Sequence, residues 1–231
     1  MTPSNLHLKD VFVVIPAFNE EDRIVEVIRK LTLLGFENIV IVDDGGSDRT
    51  SEVIPKDKGI YLLRHVINLG PGASTMTGIE FSLLKGAKYI GTIDADHQHD
   101  PEDLLSLINE IDSKNADLLI GSRFLKRNNK IPLSRLIYNY VGNMVSYYKT
   151  GSIISDSQSG LKVMTRRFAE KLYIDYNGFE FSIDIIRKAR LNRIKIAESP
   201  VGVSYTKDTL AKGQNFQNGI TMLWRLLNPF R

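Results

Sequence analysis

Through its first half the chain alternates short β-branched runs with segments of helical period, and that rhythm admits few folds. Residues 11–15, 38–42, 60–63, 89–93 and 118–120 read as strands. Between them, residues 20–34 place Ile24, Val27, Ile28 and Leu31 on one helical side, and Gly35 closes the helix. Residues 75–85 and 102–111 are also helical, the second opened by Pro101 in its first turn. Such alternation builds an α/β fold, a mainly parallel Rossmann-like sheet with helices on both faces. Ligands bind these sheets outside the carboxyl ends of the strands. Asn19 with Glu20, Asp43 with Asp44, and Asp94 with Asp96 all fall at strand ends, so three polar clusters meet at one edge.

The second half is less regular. Residues 123–150 are basic and aromatic, with Ile137, Tyr140, Val141, Met144, Val145 and Tyr148 at helical spacing. After a polar turn at 155–160, residues 161–164 read as a strand, 168–173 and 181–191 as helices, and 201–205 as a late strand. A last amphipathic helix carries Ile220, Leu223, Trp224 and Leu227 on one stripe, with Arg225 and Arg231 nearby. No internal repeat or low-complexity linker divides the chain, and 231 residues suit one α/β domain with a well-buried core.

Charge and composition exclude several classes. Thirty basic against 27 acidic residues give a net charge of +3, too even to argue for a nucleic-acid partner. Basic residues do gather at Arg123, Lys126, Arg127, Lys130 and Arg135; such a run either draws in phosphate or an anionic membrane, or is a solvated face. The absence of cysteine rules out disulfides and thiolate metal sites. The N-terminus lacks a secretory pattern, and the longest strongly apolar run, 11–18, is far short of the about 20 residues that span a bilayer. An integral membrane protein is not expected; one lying on a membrane surface is compatible.

The sharpest chemical feature is Asp94-Ala95-Asp96. In extended chain, residues two apart project to the same side, so the two carboxylates repel unless a cation lies between them. A hard divalent ion, Mg²⁺ or Mn²⁺, suits them and also holds a diphosphate. The alternative is a pair of turn residues before the helix at Pro101. Asp43-Asp44-Gly45-Gly46-Ser47-Asp48 follows another strand: a carboxylate there can accept hydrogen bonds from a base or ribose, and the glycines permit close approach. Equally, it is an acidic turn whose Asp48 caps the next helix. In Ile15-Pro16-Ala17-Phe18-Asn19-Glu20-Glu21 the proline forces an extended turn and Asn19 is a candidate cap for the helix behind it.

The order of these segments, followed by Asn68-Leu69-Gly70 and by Asp94-Ala95-Asp96-His97-Gln98-His99-Asp100-Pro101, resembles family 2 glycosyltransferases, and among them the polyprenyl-phosphate (dolichyl-phosphate) mannose and glucose synthases. The resemblance runs from about Val11 to about Gly213 and implies a GT-A type fold. It implies a nucleotide-sugar pocket lined by Pro16, Ala17, Asn19, Glu20, Asp43, Asp44, Gly70 and Ala95, with Asp94 near the diphosphate. Asp96 and Gln98 are then metal ligands, with Asp94 beside them. Arg123 matches a position near the donor and the acceptor phosphate, Asp156 with Gln158, Ser159 and Gly160 a loop beside the transferred sugar, and Lys212 a late basic position near the phosphates. Two positions depart from the family pattern: Gly46 where threonine-containing Gly-Ser-Thr-Asp is usual, and Pro71 where lysine usually follows the glycine. The second removes a cation near the nucleotide.

The expected reaction is a single in-line displacement with inversion, moving a hexose from a UDP- or GDP-sugar to a polyprenyl phosphate. Residues 1–122 are then the nucleotide-sugar half, 123–211 the acceptor half, and 212–231 an amphipathic helix. A sugar hydroxyl needs a general base, for which Asp156 is the candidate, whereas a phosphate monoester is already largely ionised at neutral pH and needs cations to guide it. A glycan or protein hydroxyl as acceptor, and a non-catalytic nucleotide-sugar-binding protein, are the other readings. Location on the cytoplasmic membrane face is expected, with a membrane-protein partner or a homo-oligomer substituting for membrane spans.

Overall fold

The computed structural model describes residues 8–126, 129, 131–178 and 180–204. The expected C-terminal helix, Lys212, Arg127 and Lys130 lie outside the described residues. After a short 3₁₀ turn, β1 (Val11–Ala17), β2 (Ile39–Asp43) and β3 (Ile60–Arg64) alternate with α1 (Ile24–Leu33) and α2 (Thr50–Val53). Then come α3 (Pro71–Leu84), β4 (Tyr89–Thr92), α4 (Pro101–Ile111) and β5 (Leu118–Ser122), followed by α5 (Leu133–Thr150), β6 (Lys162–Thr165), α6 (Arg166–Ala169), α7 (Phe181–Leu191) and β7 (Ile196–Pro200).

Seven strands form one sheet in the order β3-β2-β1-β4-β6-β5-β7. All pairs are parallel except those made by β6, which runs against both β4 and β5. Alternating side chains of β1 feed two apolar layers, as a pleated strand covered on both faces requires. Val11, Val13 and Ile15 pack with Ile24, Ile28 and Leu31 of α1 and Leu104 and Ile108 of α4. Phe12 and Val14 face Ile79 of α3, Phe168 of α6 and Ile185 and Ile186 of α7. Glycine lets α3 seat this deeply, because a Cβ at Gly78 would overlap the Val14 side chain.

Several boundaries differ from the sequence expectation. Helix α1 begins at Ile24 rather than at residue 20, since Glu20–Arg23 form a turn in which Arg23 N and Ile24 N bond Glu20 O. Helix α3 starts four residues early, at Pro71, where a proline at the first helical position loses no hydrogen bond. The late strand is Ile196–Pro200, not 201–205: register with β5 pairs Leu118 with Ile196 and Ser122 with Pro200. Helix α1 does close at Gly35, whose φ of 89° suits glycine.

Candidate functional site

The loops leaving β1, β2 and β4 open on one side of the sheet and enclose a cavity of about 640 Å³. Pro16, Ala17, Phe18, Asn19, Glu20 and Asp44 line one part of it. Asn19 takes a left-handed backbone (φ 56°) and accepts hydrogen bonds from Ser47 N at 2.9 Å and Asp48 N at 3.4 Å. It therefore ties the loop after β1 to the loop after β2, and is not the cap of α1. Glu20 is anchored through its amide to Thr50 Oγ1 (2.8 Å) and through its carboxylate to Arg23 (2.9 Å). Asp48 accepts from Thr50 N, the first residue of α2, at 2.9 Å.

The adjacent aspartates of β2 divide their work. Asp43 is buried, accepts from Gly46 N at 3.0 Å, pairs with Arg64 at 3.2 Å, and does not line the cavity. Asp44 does line it, but its carboxylate also accepts from Leu69 N (3.0 Å) and Gly70 N (2.7 Å) and bonds His65 Nδ1 (2.7 Å). It thus draws the Asn68-Leu69-Gly70 turn onto the end of the sheet. Gly70 reaches φ 98° there, off the cavity wall, while the next residue, Pro71, is on it.

Asp94, Ala95, Asp96 and Gln98 form the opposite wall, in the loop after β4. Asp96 accepts from Gln98 N at 3.0 Å and Gln98 Nε2 at 2.7 Å, so Gln98 orients this carboxylate. Burial, with the Asp94 charge beside it, pushes the Asp96 carboxyl up to about 7. Burial also raises Asp94, against the opposing pull of Lys162 and Arg123. Asp94 is packed on Gly160: a Cβ there would overlap its carboxylate. Thr92 Oγ1 donates to Gly160 O at 2.7 Å and fixes that approach.

Among the described residues no three His, Asp or Glu side chains group closely enough to hold an ion unaided. Two crowded carboxylates, both raised by burial, nevertheless supply the hard oxygen donors of the usual magnesium arrangement, in which one or two carboxylates share the ion with substrate phosphates. Residues 94 and 96 fit a divalent cation of that kind.

Arg123, at the end of β5, lines the same cavity and bears electrostatically on Asp94. Its guanidinium donates from Nε and Nη2 to both oxygens of Asp156 at 2.7 Å, and its own amide donates to Asp156 at 3.1 Å. Such a bidentate pair fixes the guanidinium plane. Asp156 itself is fully buried behind Arg123, away from the cavity wall, with both oxygens engaged. That placement contradicts its reading as a general base. Arg135 and Asn139 of α5, with Gln158, complete this side.

Sequence reasoning missed Lys162, Phe181, Ser182 and Ser74. The last three line the cavity. Lys162 is fully buried beneath it; its ammonium donates to Ser159 O and lies 3.4 Å from Ser182 Oγ. Burial lowers its pKa to about 8. A lysine inside a short apolar strand was the available signal, since a buried cation needs partners.

Comparison with known proteins gives the family and the fold. The family model for glycosyl transferase family 2 matches residues 12–173. An uncharacterized protein of Methanocaldococcus jannaschii is 36% identical over 97% of this chain and 93% of its own length. The UDP-N-acetylglucosamine–dolichyl-phosphate N-acetylglucosaminyltransferase of Methanococcus voltae is 28% identical over 95% of both chains. Among solved structures, glucosyl-3-phosphoglycerate synthase from Mycobacterium tuberculosis, determined with Mn²⁺, UDP and phosphoglyceric acid, superposes with a TM-score of 0.63 at 18% identity, over 94% of this chain and 78% of that one. That likeness concerns the fold, which is of the GT-A kind. By its family match over most of its length, the chain belongs to glycosyl transferase family 2.

Proposed function

We propose that the protein is an inverting, metal-dependent hexosyltransferase that moves sugar from a nucleotide-diphosphate donor to a polyprenyl phosphate. One observation carries the reading: a single cavity is lined by a carboxylate pair, Asp94 and Asp96, by a clamped guanidinium, Arg123, and by Arg135. Carboxylates alone repel a diphosphate and need a cation between them and it, whereas a guanidinium binds a phosphate directly. Together they suit a reaction in which one phosphate departs and another attacks.

In this reading the 16–20 loop and Asp44 receive the nucleotide. Asp94 and Asp96 would hold Mg²⁺ or Mn²⁺, with Gln98 keeping Asp96 in place. When bound, that ion neutralises charge on the departing diphosphate. Arg123 and Arg135 guide the acceptor phosphate, whose second pKa of about 6 leaves it ionised at neutral pH. Its oxygen forms a bond to the anomeric carbon as the bond from that carbon to the diphosphate oxygen breaks, inverting the centre. No general base is needed, consistent with Asp156 being committed to Arg123. An acceptor hydroxyl would require a base, and among the described residues the cavity lining around Arg123 is Arg135, Asn139 and Gln158. Residues 1–122 supply the donor side and the segment after them the acceptor side, with Lys212 a further cation toward the phosphates.

Among the described residues no helix is long and apolar enough to cross a membrane. Contact with the cytoplasmic membrane surface is supported instead by α5, whose Leu136, Tyr140, Met144 and Tyr147 are exposed at helical spacing. The dolichyl-phosphate enzyme among the relatives supports the lipid acceptor.

The test is transfer from radiolabelled UDP- and GDP-hexoses, with Mn²⁺, to undecaprenyl phosphate in vesicles or to soluble glycans. Lipid product that disappears with excess chelator is expected. Glycan product in its place overturns the acceptor, and undiminished transfer in chelator overturns the metal.

A further inference from the structure

Helix α5 is seated unusually. Among its described side chains the buried residues are Asn139, Gly142 and Ser146, all small or polar, while Tyr140, Met144 and Tyr147 are more than half exposed. Among its described side chains, the apolar attachment to the body is Val145 packed on Ile183 of α7. Two asparagines fasten its inner face among the described side chains: Asn139 Oδ1 accepts a long bond from Arg123 Nη2 (3.5 Å), and Asn143 carries the shorter ones. Asn143 Oδ1 accepts from Ser157 N (3.0 Å) and Ser157 Oγ (2.7 Å), and its Nδ2 donates to Ser155 O (2.7 Å).

Those three bonds straddle Asp156, the residue that fixes the plane of Arg123. One position earlier, a Cβ at Gly142 would overlap the amide of Gln158, so the cavity-lining Gln158 rests directly on the helix backbone. On its other side the same loop is held by the sheet: the Glu198 carboxylate on β7 accepts from Ser155 N, Ser155 Oγ and Asp156 N at 2.7 to 3.2 Å. The 155–158 loop therefore hangs between a strand paired into the sheet and a helix whose described inner face is small and polar.

We propose that Asn143 is a positioning residue that couples the seating of α5 on a lipid surface to the alignment of Arg123 for an acceptor phosphate. The proposal rests on the reading of this cavity as a polyprenyl-phosphate site. A helix that presses its exposed Tyr and Met side chains into a bilayer shifts or stiffens as a body, and the shift reaches Asp156 through the Asn143 amide. Arginine and phosphate meet with directional bonds, and a misplacement near 1 Å costs about a hundredfold in rate. Asn143 touches no reacting atom.

Hydrogen exchange with and without vesicles of phosphatidylglycerol and phosphatidylethanolamine gives the direct test. In the wild type, vesicles slow exchange in α5 and at the amides of residues 155–158. In Asn143→Ala they slow α5 alone. Slowing of α5 with no change at 155–158 in the wild type overturns the coupling, whatever the enzyme's acceptor. In turnover, Asn143→Ala lowers kcat/KM for vesicle-borne undecaprenyl phosphate by tenfold to about a hundredfold, while UDP affinity stays within about twofold. Asn143→Asp, which keeps the acceptor for Ser157 and loses the donor to Ser155, falls between. Gly142→Ala, displacing Gln158 instead, gives the same split. Equal losses for donor and acceptor, or a change in melting temperature alone, reduce Asn143 to a structural role. A wild type that binds UDP and never uses the lipid defeats the functional reading, while the exchange result still decides the coupling.

Discussion

Replacing Asp96 with asparagine should stabilise the metal-free fold while removing activity. Burial and the Asp94 charge hold the Asp96 carboxyl at about 7. A group raised in the folded state contributes stability that is complete below its unfolded pKa and lost as pH rises through its folded one. Asp96 therefore favours the fold fully below about pH 4, and that contribution drains away up to about pH 7. Carrying an ordinary aspartate from near 4 to about 7 corresponds to about 4 kcal/mol at most. Asparagine has no such loss, but it disturbs the two bonds from Gln98, each worth about 1 kcal/mol. The net gain for Asp96→Asn at pH 8 is then about 2 kcal/mol. In a chain of this size that raises the melting temperature by about 4–8 °C. Thermal unfolding of both proteins in chelator at pH 4.5 and pH 8 checks this: the variant should be the less stable of the two at pH 4.5, where little electrostatic gain offsets the disturbed bonds, and the more stable at pH 8. Adding Mn²⁺ at pH 8 should raise the wild type and leave the variant unmoved. A gap of the same sign and size at both pH values, or a variant less stable at pH 8, would refute the electrostatic account of the carboxylate pair.

Asp156→Ala strips the buried Arg123 of its bidentate partner, and chemical denaturation should show a loss of about 3–5 kcal/mol, the usual consequence of leaving one charge of a buried pair behind. Gly160→Ala drives a methyl into the Asp94 carboxylate; transfer should fall by about a hundredfold or more while the far-UV circular dichroism spectrum is retained.

Much of this molecule could be read from its residues, and the failures have physical causes. The five early strands and the convergence of Asn19, Asp44 and Asp94 at one edge follow from apolar periodicity, which tertiary structure rarely overrides in a strand buried on both faces. Strand β7 was misplaced because its run, Ile196-Ala197-Glu198-Ser199-Pro200, carries a glutamate whose charge is consumed by the 155–156 amides. No local pattern announces such a partner. Nor could the sequence say that Asn19 bonds across to residues 47 and 48, because its spacing fits a helix cap equally well. The reading of Asp156 failed similarly: a carboxylate within a motif gives no hint of whether its oxygens face a ligand or an arginine.

The reversal of β6 has a consequence for how such an enzyme can diversify. In the parallel frame only outgoing loops reach the reactive rim. A strand laid in the opposite sense delivers an incoming one, so Gly160 arrives against Asp94 from the other direction. The long excursion from 123 to 161 thus begins and ends at the same rim. Evolution or a designer can lengthen, shorten or exchange that excursion to change what is received, and the machinery that releases the sugar keeps its scaffold.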